Sequence, residues 1–254
     1  MNPLHINCQR VTDQIISFIK LKTIGKNGVI IGFSGGVDSA VVLALSVKAL
    51  GKKKIKALLM HNTKDQISLI SKKFLSKLGI NFGVLPIQGI FNTYIKEGKV
   101  TKDRLVLGNL KTRIRMSLLY SRANADNLIV MGTGNKSELK TGYFTKHGDA
   151  GVDLLPIGDL YKTQVKELAR FLNIPEEIIN QTPTAGLWEG QTDEQELGIT
   201  YNKLDLILFE YIDKGLPFNK ISIKGVSQEE IKKVKKRIED YSFKAYPPQI
   251  CQIQ

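Results

Sequence analysis

The stretch Ile30-Ile-Gly-Phe-Ser-Gly-Gly-Val-Asp-Ser-Ala40 decides the fold, because an apolar run passes through two adjacent glycines into a second apolar run. Val29–Phe33 has the short, β-branched composition of a buried strand, and Ala40–Leu50 has the length and apolar faces of a helix. Glycines lack Cβ atoms, so the backbone between the two elements can approach a phosphate group closely. The sequence therefore predicts a phosphate-binding loop at Ser34–Ser39.

Further apolar runs extend this pattern along the chain. Strand composition recurs in Ile55–Met60, Phe82–Ile87 and Leu128–Thr133. Helical patterns lie between them at Asp65–Leu78, which Thr63 and Gln66 open as a capping box, and at Asn109–Ala125, while residues 92–107 are predicted as a connection. Strands that alternate with helices and are apolar throughout indicate a parallel sheet covered on both faces. We therefore predict an α/β fold with a doubly wound parallel sheet.

From Lys162 onward the sequence has mainly helical patterns. No repeat, low-complexity linker or change of composition marks a second domain. We therefore expect a single domain over residues 1–254, with a sheet core at about 28–172 and a helical C-terminal part at about 173–254.

Composition limits the class of protein. The chain has 254 residues, of which 42 % are hydrophobic, which is enough for a full core. Apolar runs such as Ala40–Val47 are far shorter than the ~20 residues of a membrane span, and no secretion signal is visible. The cysteines, Cys8 and Cys251, lie far apart outside any metal-ligand spacing. We therefore expect free thiols, a cytoplasmic location and no membrane partner.

The formal charge of +13 favours an anionic partner, either nucleic acid, a membrane surface or a polyanionic small molecule. The lysines are scattered in short groups, for example Lys52–Lys54, so charge alone does not choose between these partners. None of the three histidines lies within five residues of a cysteine or of another histidine, so no zinc site is expected.

The loop at Ser34–Ser39 differs from two common phosphate loops. A P-loop requires a lysine after its glycines, and a dinucleotide fingerprint requires Gly-x-Gly-x-x-Gly, whereas this sequence has neither. Asp38 is unusual there, because a bound polyphosphate repels a carboxylate unless a cation stands between them. Asp38 is therefore predicted to be a Mg²⁺ ligand.

Ser-Gly-Gly-x-Asp-Ser after a strand resembles the loop of the ATP pyrophosphatase group, whose members cleave ATP between the α and β phosphates. Five later stretches resemble, in the same order, the motifs of the NAD synthetase family: Gly108–Arg115, Gly132–Glu138, Thr141–Asp149, Asp153–Pro156 and Leu187–Gly198. This resemblance implies ATP-dependent amidation of deamido-NAD to NAD through an NAD-adenylate, with release of AMP and pyrophosphate. Alternatives are a tRNA-modifying ligase of the same group and a catalytically silent nucleotide-binding regulator.

The same resemblance implies the nitrogen donor and the assembly. Glutamine-dependent relatives carry an amidase domain before the loop, but only 27 residues precede Gly28 here, so ammonia is the expected donor, either free or supplied by a separate glutaminase. The family implies a homodimer with deamido-NAD bound near the subunit interface and a C-terminal tail that covers the substrate. A nucleic-acid partner is not expected, because no binding extension or cysteine pair for sulfur transfer is present.

The resemblance also implies residue roles. Asp38 and Lys162 would be catalytic, and Asp38 and Glu138 would bind Mg²⁺. The implied ATP contacts are Gly32, Phe33, Ser34, Gly35, Gly36, Val37, Asp38, Ser39, Thr133, Lys162 and Thr184. The implied deamido-NAD contacts are Arg113, Lys146, Asp153, Phe243 and Lys244. Two positions depart from the family, since Phe243 stands where histidine is common and Gly186 where aspartate is usual.

Overall fold

The computed structural model describes residues 3–61 and 68–253. Within these ranges a four-stranded parallel sheet has the order β3-β2-β1-β4. Its strands are β1 Gly28–Gly32, β2 Ile55–Leu59, β3 Asn81–Val84 and β4 Leu128–Met131. Each strand ends slightly before its predicted end, because the chain leaves the sheet at the edge where the connecting loops begin.

Helices surround the sheet and form the C-terminal part. They are α1 Cys8–Lys22, α2 Val37–Leu50, α3 Leu69–Leu78, α4 Gln88–Glu97, α5 Arg104–Asp126, α6 Lys136–Thr141, α7 Lys162–Phe171, α8 Glu176–Ile179, α9 Asp193–Leu197, α10 Tyr201–Leu208 and α11 Gln228–Tyr241. A π-helical turn, Phe209–Asp213, follows α10 directly. No helix in the described ranges is long and apolar enough to cross a membrane.

The two faces of the sheet form separate cores. Val29 and Ile31 of β1 pack into one core with residues of α1, α2 and α7. Ile30 of β1 and Val130 of β4 point to the opposite face, where α4 and α5 cover them. Successive residues of a strand point to opposite faces, so a fully apolar strand requires cover on both sides. The predicted doubly wound α/β fold is confirmed.

A third apolar core lies in the C-terminal part. It consists mainly of buried side chains from α10 and α11 and also includes Leu4 and Tyr161. Helix α10 packs against both α6 and α7, which follow the last strand of the sheet in sequence. The C-terminal helices therefore rest directly on the helices that begin at Lys136 and Lys162.

Helices in two stretches were not predicted. The predicted connection at 92–107 is wrong, since α4 extends to Glu97 and α5 begins at Arg104 rather than Asn109. The carboxylate of Asp103 accepts hydrogen bonds from the first N–H groups of α5 and so sets its start. Helix α1 was also missed.

The opening of α3 falls partly outside the described residues. The predicted capping residues Thr63 and Gln66 lie in the range 62–67, which the structure does not describe. In the described part, the hydroxyl of Ser68 caps a helix that begins at Leu69.

Candidate active site

The candidate site lies where the direction of the strand order reverses. The chain proceeds from β1 through β2 to β3 at one edge and then returns to place β4 beside β1. In open α/β sheets, ligands bind outside the carboxyl ends of the strands at such a switch point. Here the amide Nδ2 of Asn135, after β4, donates a 2.9 Å hydrogen bond to Oδ1 of Asp38, after β1.

The loop after β1 forms its own hydrogen bonds. The Oγ atoms of Ser34 and Ser39 are 3.1 Å apart, and the N–H of Gly36 donates to Ser34 Oγ at 3.2 Å. Ser39 Oγ donates to the carbonyl of Gly36 at 3.0 Å. These bonds hold the loop at the N-terminus of α2, where backbone N–H groups favour an anion.

The predicted ATP contacts in this loop divide into two groups. Gly32, Ser34, Gly36 and Asp38 keep exposed or partly exposed surface, whereas Phe33, Gly35, Val37 and Ser39 are buried. Phe33 stacks on the ring of Phe74, with centroids 5.9 Å apart. Contact of ATP with Phe33 or Val37 would therefore involve backbone atoms.

Gly35 is expected to tolerate no side chain. Its φ of +90° is strained for other residues, and a Cβ atom there would lie 2.8 Å from Ser71 Oγ. Gly35→Ala should lower the free energy of unfolding by about 1–3 kcal/mol, measured by urea titration.

Gly36→Ala is the matched control for Gly35→Ala. Gly36 has a φ of −82°, which any residue can adopt, and its nearest contact for a Cβ is 3.4 Å away. Gly36→Ala should leave the stability unchanged or raise it by up to about 1 kcal/mol. Equal stability of the Gly35→Ala protein and the wild type would contradict the strained loop.

Lys162 lies among carboxylates at the switch point. Its side chain is 4 % exposed, and its Nζ is 2.5 Å from Asp38 Oδ2 and 3.5 Å from Glu138 Oε1. Burial lowers the pKa of Lys162, but the charges of Asp38 and Glu138 outweigh burial and raise it overall. The ammonium therefore stays charged, and the carboxylates balance a cation that the helix dipole disfavours at the start of α7.

Asp193 is a further carboxylate at this place, and no role was predicted for it from sequence. It begins α9, it is 4 % exposed, and it accepts hydrogen bonds from the hydroxyls of Tyr143 and Tyr201 at 3.0 and 3.1 Å. Its charge raises the pKa of both Lys162 and Glu138. We call Asp38, Glu138, Asp193 and Lys162 the Lys162 cluster.

The Lys162 cluster contains more carboxylates than ammonium groups. Burial, together with the charges of Asp38 and Asp193, raises the pKa of Glu138 to about 8, although Lys162 acts to lower it. Burial also raises the pKa of Asp193. An uncompensated negative charge in a buried position favours either a proton or an added cation.

Glu138 is expected to make the ligand-free protein less stable as the pH rises. Its pKa is raised on folding, so the folded state holds a proton that the unfolded state releases above its ordinary pKa of about 4.5. Stability should therefore fall between about pH 5 and pH 8, by at most about 1.4 kcal/mol per pH unit from this group. Glu138→Gln removes the titration, so urea titrations at several pH values should show a flatter profile for this variant. Parallel profiles for the two proteins would contradict the raised pKa.

The donor set of the cluster fits Mg²⁺. Mg²⁺ usually binds one or two protein carboxylates and completes its shell with water and substrate phosphates. Asp38 and Glu138 contact one common ammonium group and supply two carboxylates beside the phosphate loop. Within residues 3–61 and 68–253, no group of three or more His, Cys, Asp or Glu side chains is placed to hold a metal ion.

The two predicted threonine contacts lie at the edges of the site. Thr133 is half-buried and follows β4 by two residues. Thr184 is exposed, and its hydroxyl accepts a hydrogen bond from the N–H of Gly186, which has a φ of +63°. The N–H of Asp193 donates to the carbonyl of Pro183, so Thr184 lies next to a residue bonded to the Lys162 cluster.

Four of the five predicted deamido-NAD residues lie together. Arg113 is exposed on α5, and its Nη2 donates to the carbonyl of Lys146 at 3.4 Å. Lys146 Nζ donates to the carbonyl of Phe243 at 3.2 Å, and Lys244 Nζ donates to the carbonyl of Gly142 at 2.9 Å. The C-terminal tail thus packs on the loop after α6, with lysines on both segments.

Asp153 has other hydrogen-bond partners than those four residues. Its Oδ1 accepts a 2.8 Å hydrogen bond from the hydroxyl of Tyr120, and its Oδ2 accepts one from the N–H of Val130. Both oxygens bind groups of the sheet edge and of α5. Asp153 is exposed at β4, so it can also face a ligand over this edge.

Comparison with known proteins identifies relatives along almost the entire chain. A family model described as NAD synthase matches residues 9–248. The NH(3)-dependent NAD(+) synthetase of Pyrococcus horikoshii is 48 % identical over 208 residues, which are 82 % of this chain and 80 % of that protein.

Solved structures agree with this result. An NMN synthetase from Francisella tularensis has a TM-score of 0.86 and 30 % identity, with 98 % of this chain and 100 % of that chain covered. An NH3-dependent NAD synthetase from Campylobacter jejuni, in complex with nitrate, has a TM-score of 0.81 and 32 % identity over the same shares. This chain is similar to both over its whole fold.

Proposed function

The chain belongs to the NAD synthase family, and on that premise we propose that the Lys162 cluster adenylates the nicotinate carboxylate of deamido-NAD. The chain is a ligase that forms a carbon–nitrogen bond: it amidates deamido-NAD to NAD with ammonia and ATP. The observation that carries the proposed site is the meeting of Asp38 with Asn135 and Lys162 at the switch point, directly beside the phosphate loop.

Two bonds change in the adenylation step. A carboxylate oxygen of deamido-NAD attacks the α-phosphorus of ATP, and the bond from that phosphorus to the β-bridging oxygen breaks. Pyrophosphate leaves with the bonding electron pair. Ammonia then attacks the activated carbonyl carbon, loses a proton and displaces AMP, which keeps one oxygen of the original carboxylate.

The chain stabilises the charge that develops on the phosphates. The N–H groups at the start of α2 face the place where an anion binds, and Lys162 supplies a fixed ammonium there. Both groups are in place before reaction, so little reorganisation is needed in the transition state.

Asp38 and Glu138 would hold Mg²⁺ on the triphosphate. When bound, the cation would neutralise charge on phosphate oxygens. The excess of carboxylates over ammonium groups in the Lys162 cluster supports this assignment.

The deamido-NAD site would include Arg113, Lys146, Phe243, Lys244 and Asp153. The packing of the tail against Lys146 supports a tail that covers the substrate.

The apolar core of the sheet and that of the C-terminal helices fit one domain over 1–254, with a sheet core at about 28–172 and a helical part at about 173–254.

A homodimer and a cytoplasmic location belong to the same proposal. Leu105 and Val106 are exposed on α5, the helix that carries Arg113, so an interface there would lie beside the substrate. Cys8 and Cys251 carry free thiols, as cytoplasmic proteins usually do.

An assay with ATP, Mg²⁺, deamido-NAD and ammonium tests the function, with NAD read by a dehydrogenase. We expect NAD with ammonium and none above background with glutamine. Because the similar protein from Francisella tularensis is an NMN synthetase, a parallel reaction replaces deamido-NAD with the deamidated mononucleotide. Absence of NAD, or a higher kcat/KM for the mononucleotide, would contradict deamido-NAD as the substrate.

A further inference from the structure

We propose that Asp205 is a positioning residue for adenylation, because its carboxylate joins the segments that carry Glu138 and Lys162. This inference rests on the proposed function. Asp205 is fully buried on α10, in the C-terminal helical part. Within the described residues, its carboxylate has no hydrogen bond to the phosphate loop or to the C-terminal tail.

Each carboxylate oxygen of Asp205 binds a different helix. Its Oδ1 accepts a 2.5 Å hydrogen bond from Ser137 Oγ on α6. Its Oδ2 accepts bonds from the N–H and the Oγ1 of Thr163 on α7, at 2.9 and 2.8 Å. The carboxylate therefore fixes α6 and the start of α7 at one distance from each other.

The bonded residues directly adjoin those of the Lys162 cluster. Ser137 precedes Glu138, and Thr163 follows Lys162. Ser137 Oγ also accepts a 2.9 Å hydrogen bond from the N–H of Lys162, which closes the network between the two helices. Displacement of either helix would move Lys162 relative to Glu138.

The same network supplies hydrogen-bond acceptors for the first N–H groups of α7. The first N–H groups of an α-helix have no partner within the helix. In α7, the N–H groups of Lys162 and Thr163 find partners in Ser137 and Asp205, on two other helices. The position of Lys162 thus depends on tertiary contacts of α7.

A displacement of about 1 Å in a reacting group can cost on the order of 10²-fold in rate. Asp205→Ala removes the acceptor of three hydrogen bonds. We expect it to lower kcat on the order of 10²-fold, while KM for deamido-NAD changes less than about threefold. Adenylation is measured as single-turnover release of pyrophosphate without ammonia, at a temperature where circular dichroism shows the variant folded.

The conservative variant tests the bridging role itself. In Asp205→Asn, the amide oxygen can accept from Thr163 while the amide nitrogen donates to Ser137 Oγ, so both helices stay joined. We expect kcat to return to within about fivefold of the wild type. Ser137→Ala removes the bond of α6 to Asp205 and the acceptor of the Lys162 N–H, while Asp205 keeps its bonds to Thr163. It should lower kcat by about tenfold, and it is the decisive measurement if Asp205→Ala does not fold.

Ile207→Ala is the matched control, because Ile207 is fully buried on the same helix and contributes only to the apolar core. It should lower Tm and leave kcat unchanged. The proposal is overturned if folded Asp205→Ala or Ser137→Ala adenylates at the wild-type rate, or if Ile207→Ala loses as much kcat for a similar loss of Tm. Formation of NAD by the wild type once ammonium is added separates this outcome from failure of the proposed function.

Discussion

Alanine in place of Asp38 is expected to reduce pyrophosphate release from ATP on the order of 10³-fold. Asp38 contributes one of two carboxylates assigned to Mg²⁺, and it contacts both Lys162 and Asn135. Its loss leaves the cation with fewer ligands and removes the closest partner of the Lys162 ammonium. The measurement is single-turnover release of pyrophosphate with ATP and deamido-NAD.

Two controls accompany Asp38→Ala. Asp13→Ala removes an exposed carboxylate of α1. Among the described residues this carboxylate accepts hydrogen bonds from Gln9 alone, so its loss should leave the rate unchanged. The second control is Tm, which shows that the Asp38 variant is folded. A folded Asp38→Ala protein with a near-normal rate would refute the assignment of Asp38 to the metal.

Lys162→Met is expected to abolish adenylation and also to destabilise the protein by about 3–5 kcal/mol at pH 8. It leaves three carboxylates of the Lys162 cluster together in a buried place without the ammonium. Lys162 lowers the pKa of Glu138, so without it the carboxyl takes up a proton more readily. The destabilisation should therefore be smaller at pH 6 than at pH 8.

The control for Lys162→Met is Lys166→Met, one turn later on α7, where the side chain is only partly buried. Urea titrations at both pH values and single-turnover assays compare the two variants. A Lys162→Met protein as stable as Lys166→Met at pH 8 would show that the cluster does not need its ammonium.

The sequence was sufficient to predict the sheet and the place of the glycine-rich loop after its first strand. β1 and the loop at Ser34–Ser39 follow from local composition, and the doubly wound fold follows from the alternation of apolar strands with helices. Asp38 follows β1 and Glu138 follows β4, and these two strands pair, so both carboxylates lie at one sheet edge. There both contact Lys162.

Helices α1 and α4 were missed for different reasons. In α1, Ile15 and Ile19 are buried at helical spacing, so the sequence does carry the hydrophobic period of a helix there. In α4, Phe91 is buried and Ile90 and Ile95 pack on the same core, but the glycine, asparagine and threonine between and before them have low helix propensity and weaken the local signal.

The interior of the site depends on contacts between residues far apart in sequence. Asp193 meets Tyr143 from 50 residues away, and Asp205 meets Ser137 from 68 residues away. No local pattern encodes such pairs. One signal was available for Asp205, since an acid within the apolar segment Leu204–Leu208 must find buried partners.

The most direct test of the account follows oxygen atoms. Deamido-NAD with a heavy oxygen isotope in both carboxylate positions is converted by the wild-type protein with ATP, Mg²⁺ and ammonium, and the products are analysed by mass spectrometry. Attack of the carboxylate on the α-phosphorus predicts that AMP carries one heavy oxygen and that NAD retains the other. Unlabelled AMP, or label in pyrophosphate, would contradict adenylation of the carboxylate at this site.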